Sequence, residues 1–490
     1  MTAPEQLGAR IVRGGAWTAV RQALQQACAL IQLVVVARLV PPGEVGLFAM
    51  ATLVLTITRA LTETGFEQAL VARKQLDDAT LDVGFSVVLL RAALVAAILA
   101  GGAPLFAGFF SEPRVAELLR ALAIAMLTEG FINNRVAMFQ RDLDFRRYFY
   151  FQASGLIAGL AVTLGSAYVL RNVWAVVYGQ LASSFARVVA SQLLVGRRPR
   201  LHFDRNIARE LIGYGRWVGA SSMLLFALVN GDNLFIGKVI GAEALAFYAW
   251  AYQLANLPAL FITQILSSVM FPALATVRNE PARLGELFLR SMRLTWVLTL
   301  PSALLIAALC EPFTRALLGE RWLPIVPITY ALTCFGVMRA LGASAGALFL
   351  AIGRPDLRTK IQIAQFVTLA VSIYPLYLAH GVTGVAWAVS LYGCLSVYAA
   401  YLCFDLCGLR LAALWPAVFR VSAATLLGAA AAWAIGHSWL HAAPLAGLIA
   451  GGCVGLALTA GVLLWLDRHD QSGYAKELAQ ALGALRKRQA

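Results

Sequence analysis

Charged residues are scarce in this chain. Asp, Glu, Lys and Arg together make up 13% of the 490 residues, whereas hydrophobic residues make up 60%. A water-soluble domain of this length could not hide so much apolar surface, because its outside must face water. The shortage of charge therefore excludes a soluble protein and favours a chain that lies within a lipid bilayer.

Long hydrophilic segments are also missing. The longest outer loops that we predict, 103–114 and 311–323, are too short to fold into a domain that carries catalytic residues. Gly101-Gly102 and Gly451-Gly452 lie in apolar sequence, without the Lys-Ser/Thr that completes a phosphate-binding loop. We therefore expect a protein that is not an enzyme, has no cofactor and does not use ATP bound to this chain.

Cysteine and histidine are few and scattered. The seven cysteines lie mostly inside apolar stretches, and His380, His437 and His441 lie in predicted outer loops. Neither residue type has the spacing of metal ligands or of a disulfide framework. The sequence therefore predicts no metal site.

Apolar stretches are the main positive feature, and there are about fourteen of them. Each has roughly 20 residues, about 30 Å as a helix, which matches the hydrocarbon thickness of a bilayer. The sequence therefore predicts an all-α, polytopic membrane protein with about 14 transmembrane helices. The predicted spans are 17–39, 45–61, 84–102, 115–135, 149–169, 173–195, 215–239, 244–266, 289–309, 324–351, 361–378, 382–402, 416–435 and 445–466.

The basic residues predict the orientation. Most of the 40 Lys and Arg residues fall in every second gap between the spans, and cytoplasmic loops carry such an excess. Both termini are therefore predicted to be cytoplasmic. The net charge of +15 is spread over loops such as 141–147, 197–209 and 278–293. We attribute it to orientation and to contact with anionic lipid headgroups, and expect no nucleic acid binding.

An internal repeat emerges when the chain is shifted by 200 residues, because the first and seventh spans then align without a gap. Six spans are an even number, so both copies enter the membrane from the same side, with a cavity expected between them. The matches are Gly15 and Trp17 with Gly215 and Trp217, Arg38-Leu39-Val40 with Lys238-Val239-Ile240, and Phe48-Ala49-Met50-Ala51 with Tyr248-Ala249-Trp250-Ala251.

The repeat predicts four parts of the chain. Residues 1–200 form an N-terminal lobe of six spans, and residues 201–405 form a C-terminal lobe of six spans. Residues 406–466 add a pair of spans, and residues 467–490 form a cytoplasmic tail.

Arginines inside the spans are the strongest functional signal. An ionisable side chain costs at least about 2.5–3.5 kcal/mol at the bilayer centre, so it faces protein or a hydrated cavity. Guanidinium groups in such a cavity suit phosphate oxygens, to which they donate bidentate hydrogen bonds. Snorkelling to the headgroups and ion pairing within the membrane are the alternatives. The candidate substrate-binding arginines are Arg21, Arg59, Arg91, Arg187 and Arg339.

Acidic residues in or beside the spans are fewer. Glu63, at the end of the second span, has the i, i+4 spacing for an ion pair with Arg59. Glu129 has two roles open to it, an ion pair with Arg91 or Arg187, or coupling to protons. We therefore treat Glu63 and Glu129 as candidates for ion coupling.

A polar cluster lies well inside the seventh span. Asp232 is flanked there by Asn230 and Asn233. A hydrogen-bonded clamp between helices is one explanation, and contact with a sugar or an ion is the other. Asp232 and Asn233 are therefore candidates for substrate binding, and Asp232 also for ion coupling.

Six short motifs carry a family resemblance. They are Ala-Arg-Leu-Val-Pro-Pro-Gly-Glu-Val-Gly-Leu-Phe-Ala-Met-Ala at 37–51, Gly-Phe-Glu-Gln-Ala-Leu-Val-Ala-Arg-Lys at 65–74, Gln-Arg-Asp-Leu-Asp-Phe-Arg at 140–146, Asp-Asn-Leu-Phe-Ile-Gly at 232–237, Phe-Pro-Ala-Leu at 271–274 and Gly-Arg-Pro at 353–355. In this order and spacing the chain resembles the bacterial polysaccharide flippases of the Wzx type, most of all those for exopolysaccharides. They share the MOP superfamily with multidrug MATE exporters and lipid II flippases.

The resemblance implies a V-shaped fold of two six-helix lobes with an added helix pair. It implies that an undecaprenyl-diphosphate-linked oligosaccharide crosses from the inner to the outer leaflet of the cytoplasmic membrane by alternating access, for exopolysaccharide or lipopolysaccharide synthesis. A polysaccharide polymerase and a chain-length regulator are the implied partner proteins, and we expect a monomer. The family has no invariant catalytic motif, so the candidate residues rest on their charge within the membrane.

Two other functions compete with this interpretation. A MATE-like multidrug or cation exporter would need a dominant buried acidic site, whereas the deep charges here are mainly basic. A membrane-embedded polymerase or ligase would need a large outer loop with paired catalytic residues, and no such loop is predicted.

Overall fold

The computed structural model describes residues 3–62, 78–142, 144–197, 199–202, 226–410, 412, 414–440 and 443–470. Almost all of these residues are helical, and no strand occurs within these ranges. Nine of the helices described there are long and apolar enough to cross a membrane. The predicted all-α, multi-pass membrane fold is confirmed.

All the predicted spans fall largely on helical residues, the seventh from residue 226 onward. Residues 226–239 are helical. The other described α-helices are α1 (Ala3–Leu39), α2 (Pro42–Leu61), α3 (Asp78–Phe110), α4 (Arg114–Glu129), α5 (Val136–Arg141), α6 (Phe145–Leu170), α7 (Trp174–Val195), α8 (Ala242–Thr276), α9 (Pro281–Phe313), α10 (Ile325–Ala351), α11 (Pro355–Leu406), α12 (Trp415–Ser438) and α13 (Pro444–Asp470).

The fourth span is shorter than the sequence predicts. α4 ends at Glu129, and residues 130–135 form a non-helical link instead of continuing the helix to 135. Asn133 explains the difference. Its Oδ1 accepts a hydrogen bond from the backbone nitrogen of Arg135 (3.1 Å), and its Nδ2 donates to the carbonyl of Arg197 (2.8 Å). Asn side chains compete in this way with helical backbone bonds.

A kink divides α11 into two predicted spans, 361–378 and 382–402. The backbone at Gly381 is non-helical, with φ 60° and ψ −137°. A residue with a Cβ adopts such a conformation only with strain, so glycine is suited to this point between the two spans.

The helices form two compact units, and the first extends to Ala246. In this unit α6 packs against α7 and α1, and α3 packs against α4. The α6–α7 contact depends on small residues, because a Cβ added at Gly179 would lie only 1.8 Å from Oγ1 of Thr163. Small side chains let helix backbones approach closely, and this approach places the side chains of α7 against α6.

The second unit begins at Phe247 and is organised around α9. α9 contacts α10, α12 and α13, and α10 packs against α11. Phe288, Phe349 and Phe404 are buried in its apolar core. α12 and α13, which correspond to the added pair of spans, pack against each other and both against α9.

The helix boundaries recur with the same shift of 200 residues that relates the two halves of the sequence. α1 ends at Leu39 and α2 begins at Pro42. The helical residues 226–239 end at Val239, and α8 begins at Ala242. This recurrence supports the repeat. Residues 203–225, which contain Gly215 and Trp217, lie outside the described ranges, so the four-part division of the chain stays a prediction.

A candidate anion-binding cavity

A partly open cavity of about 330 Å³ lies within the first unit. It is formed where α2, α4 and α7 end and where α5 and α6 begin, with α3 alongside. The predicted topology places all of these helix ends on the cytoplasmic side. Four ionisable side chains predicted as site residues line the cavity, namely Arg59, Arg91, Arg187 and Glu129.

Arg59 reaches Glu129 from the last turn of α2. Its Nη2 lies 2.8 Å from Oε2 of Glu129, and its Nε lies 3.0 Å from Sδ of Met126. The Arg59 side chain is 38% exposed and the Glu129 side chain 14%. The guanidinium is therefore the accessible member of this ion pair, and the carboxylate is the enclosed one.

Arg187 reaches the same carboxylate from α7. Its Nη2 donates to Oε1 of Glu129, which also accepts a hydrogen bond from Oγ of Ser184 at 3.0 Å. The buried Nε of Arg187 has no hydrogen-bond partner among the described residues. One carboxylate thus pairs with two guanidinium groups, and with Arg91 the described lining residues comprise three arginines and one carboxylate, a formal excess of two positive charges among them. An anionic ligand would neutralise that excess.

The ion pairs differ in part from those expected. Of the two ion pairs open to Glu129, the structure shows the one with Arg187. The partner seen for Arg59 is also Glu129, which lies on another helix, whereas Glu63 lies outside the described residues. Arg91 lines the cavity from the middle part of α3.

Arg339 lies in the middle of α10, in the second unit. Its Nη1 is 3.4 Å from the hydroxyl of Tyr252 and 3.3 Å from Oδ1 of Asn256, both on α8. Within the described ranges, the structure shows no carboxylate partner for this guanidinium. A half-buried cation that contacts neutral groups is suited to an incoming anion, and its role in binding stays a prediction.

Asp232, Asn233 and Arg21 are not among the residues that line the cavity. Asp232 is buried, and its Oδ1 accepts hydrogen bonds from the backbone nitrogen (2.8 Å) and Nδ2 (3.2 Å) of Asn233. Nη1 of Arg21 lies 3.5 Å from Oε1 of Gln25, one turn along α1. The roles predicted for these three residues stay predictions.

Arg135 is an ionic centre that sequence reasoning missed. Its Nη1 and Nη2 each lie 3.0 Å from a carboxylate oxygen, the first of Asp82 and the second of Asp78. Asp78 also pairs with Arg197, which follows α7. These contacts fasten the 130–135 link to the start of α3 and to the end of α7. In the sequence Arg135 only ends an apolar stretch, and nothing in that pattern indicates that it pairs with Asp78 and Asp82, more than fifty residues earlier.

The pKa of the Asp78 carboxyl lies below its ordinary value. The main cause is a hydrogen bond from Arg135, and the next is a hydrogen bond from Arg197. A carboxyl whose pKa is lowered on folding stabilises the fold above its unfolded pKa of about 3.9. That contribution is lost as the pH falls through the lowered pKa of the folded state. At neutral pH Asp78 is therefore ionised, and its ion pairs with Arg135 and Arg197 contribute fully to stability.

Uncharged polar side chains also line the cavity, and sequence reasoning missed them as well. They come from the 130–135 link, α5 and α6, and are Asn133, Asn134, Gln140, Tyr148 and Gln152. The adjacent pair Asn133-Asn134, at the end of an apolar stretch, was the one signal that could have pointed to them.

Gly155 of α6 makes room for the stem of Arg187. A Cβ at this position would lie 2.6 Å from Cγ and 2.9 Å from Cδ of that side chain. Gly155→Ala is therefore expected to displace the guanidinium and to weaken the binding of an anionic probe such as inorganic diphosphate at least about fivefold, because crowding typically costs about 1–3 kcal/mol. Gly165→Ala is the matched control, because a Cβ there meets open space on the same helix. Equal affinities of the two variants would contradict the positioning role.

The polysaccharide biosynthesis protein family matches residues 35–327, more than half of the chain. The lipopolysaccharide biosynthesis protein WzxC of Escherichia coli (strain K12) is 24% identical over 363 residues, which is 72% of either chain. The similarity extends over most of both proteins.

Two solved structures have the same fold. The lipid II flippase MurJ, in an inward closed conformation, gives a TM-score of 0.73 at 14% identity and covers 92% of this chain and 98% of its own. An inward-facing multidrug resistance MATE family transporter of the MOP superfamily gives 0.61 at 16% identity, over 79% of this chain and 97% of its own. The expected MOP-type fold is therefore confirmed.

Proposed function

Since the chain belongs to the polysaccharide biosynthesis protein family, we propose that it is a flippase for an undecaprenyl-diphosphate-linked oligosaccharide. It takes this lipid from the inner leaflet of the bacterial cytoplasmic membrane and releases it at the outer leaflet. The observation that carries the proposal is the cavity in which three arginines face one carboxylate. Such a site suits a diphosphate, because guanidinium groups donate paired hydrogen bonds to phosphate oxygens.

Glu129 acts as the internal counter-ion in this proposal. While the cavity holds no substrate, the carboxylate balances Arg59 and Arg187 and limits the cost of holding two positive charges close together. An arriving diphosphate competes with Glu129 for both guanidinium groups, and Arg91 adds a third. The carboxylate is then released from its ion pairs, which makes it a candidate for ion coupling.

The remaining candidate residues act at other stages of the proposed cycle. Arg21 meets the diphosphate as it leaves the inner leaflet, while the prenyl tail stays in lipid between helices. Arg339 of the second unit takes over the diphosphate as access alternates, with Asp232 and Asn233 contacting the sugars. Asp232 and Glu63 are further candidates for ion coupling.

A multidrug or cation exporter fits the cavity less well. This chain shares its fold with the MATE transporter, but at 16% identity the likeness concerns architecture alone. Both oxygens of Glu129 are already bound by guanidinium groups, so this carboxylate is not available to a cation. The charge of the lining repels cations as well.

A transport assay with Arg91→Gln tests the proposed function. The purified protein is placed in liposomes that contain a prenyl-diphosphate-linked sugar, and flipping is followed as sugar of the inner leaflet becomes accessible to an impermeant oxidant outside. Arg91→Gln is expected to slow flipping at least about tenfold, since a hydrogen bond to a charged group contributes about 1.5–3 kcal/mol.

Arg197→Gln is the matched control, because Arg197 is exposed and does not line the cavity. We expect this variant to flip the lipid at close to the native rate. Equal losses in the two variants would argue against the site. A native protein that leaves the inner-leaflet sugar protected would show that the chain is not a flippase for this lipid.

A further inference from the structure

The cavity lined by Arg59, Arg91 and Arg187 is also lined by uncharged polar residues. Its charged residues come from α2, α3, α4 and α7, whereas Asn134, Gln140, Tyr148 and Gln152 come from the 130–135 link, α5 and α6. A site for diphosphate alone would not need four neutral hydrogen-bonding groups beside its arginines. Their presence calls for a part of the ligand that is polar but carries no charge.

Tyr148 and Gln152 are held in a fixed arrangement. They lie one turn apart on α6, and Nε2 of Gln152 donates a hydrogen bond to the Tyr148 hydroxyl at 2.9 Å. Behind them Phe151 packs with Val136 and Phe139 of α5 in a buried apolar cluster. The side-chain carbonyl of Gln152 and the hydroxyl hydrogen of Tyr148 have no further partner in the described part of the chain. One acceptor and one donor are thus preorganised for a ligand.

Asn133 and Asn134 differ in whether their side-chain amides already have hydrogen-bond partners. Asn133 is fully used by the fold, since its amide bonds to Arg197 and Arg135. Nδ2 of Asn134, by contrast, is buried without a hydrogen-bond partner among the described residues, and Asn134 is one of the residues that line the cavity. A buried amide without a hydrogen-bond partner is unfavourable, and a bound ligand that pairs with it removes that cost.

We propose that Asn134, Gln140, Tyr148 and Gln152 form a subsite for the sugar that is bonded directly to the diphosphate. Sugar hydroxyls both donate and accept hydrogen bonds, as amides and phenols do, and the Tyr148 ring offers an apolar face to the sugar ring. The first sugar is linked to the phosphate that the arginines hold, so it lies within the same cavity. The proposal rests on the proposed function and makes the neutral side of the cavity the determinant of sugar specificity.

Binding of two kinds of synthetic ligand tests the subsite. One is the methyl ester of farnesyl diphosphate, and the other is farnesyl diphosphate linked to N-acetylglucosamine or to glucose, so that both kinds are diesters with the same charge. For each variant in lipid nanodiscs, the measured quantity is the ratio of the affinity for a sugar-bearing ligand to the affinity for the methyl ester, which isolates the contribution of the sugar. The native protein is expected to bind one of the sugar-bearing ligands at least tenfold more tightly than the methyl ester.

Gln152→Met and Asn134→Leu are expected to bring this ratio close to one. Arg187→Gln should lower both affinities and leave the ratio near its native value. Gln362→Met, the same chemical change on α11 in the second unit, is the control for the substitution itself. Retention of the native ratio in both amide variants would overturn the subsite while leaving the flippase in place. A native protein that binds neither ligand would overturn the proposed function and the subsite with it.

Discussion

Replacing Arg187 with glutamine is expected to weaken the binding of farnesyl diphosphate about ten- to a hundredfold, whereas replacing Glu129 with glutamine is expected to strengthen it. A hydrogen bond to a charged group contributes about 1.5–3 kcal/mol, which corresponds to that range. Arg187→Gln also leaves Glu129 to neutralise Arg59 alone, so the excess charge of the cavity falls. Glu129→Gln instead removes the group that competes with the ligand for both guanidinium groups.

Isothermal titration in nanodiscs measures both affinities, and thermal unfolding of the same samples separates binding from stability. Glu129→Gln should lower the midpoint of unfolding, because it leaves enclosed positive charges without their counter-ion. A variant that is less stable but binds more tightly cannot be explained by general damage. Arg187→Lys keeps the charge and should recover part of the affinity. Weaker binding in Glu129→Gln would show that the carboxylate contacts the ligand rather than competing with it.

Most of the membrane fold could be predicted from the sequence, because span length and the distribution of Lys and Arg follow directly from the bilayer. The failures are local. α4 stops at Glu129 because the side chain of Asn133 bonds to distant backbone, which no apolar pattern reveals. The break between the predicted spans 361–378 and 382–402, by contrast, agrees with the structure, whose backbone is non-helical at Gly381.

Only the charged residues of the candidate site could be predicted from the sequence. The energetic cost of an ion in the membrane singled out Arg59, Arg91, Arg187 and Glu129, and one cavity contains them all. That cost does not depend on the direction in which a side chain leaves its helix, so it also selects Arg21, which is not among the residues that line the cavity. Neutral residues such as Gln152 carry no comparable penalty, and only packing shows that they face the same space.

Replacing Arg135 with methionine is expected to lower the stability of the protein by about 3–5 kcal/mol, the usual cost of removing one partner from a buried ion pair. Only 9% of the Arg135 side chain is exposed, and the Asp82 carboxylate that it would abandon is 11% exposed. The variant also frees the 130–135 link from α3, although Arg135 itself does not line the cavity. Thermal unfolding in detergent should therefore show a large fall in the midpoint.

Arg197→Met is the control that distinguishes the loss of an exposed ion pair from the loss of a buried one. Arg197 pairs with the same Asp78 carboxylate, but 55% of its side chain is exposed. An exposed pair contributes about 0–1 kcal/mol, so its loss should shift the midpoint only slightly. Below the unfolding temperature of each variant, farnesyl diphosphate should still bind to Arg135→Met, since the three cavity arginines are intact. Similar midpoints for the two variants would mean that the enclosed network around Asp82 does not hold the link in place. Loss of binding in a folded Arg135→Met protein would instead assign the network a direct role in shaping the cavity.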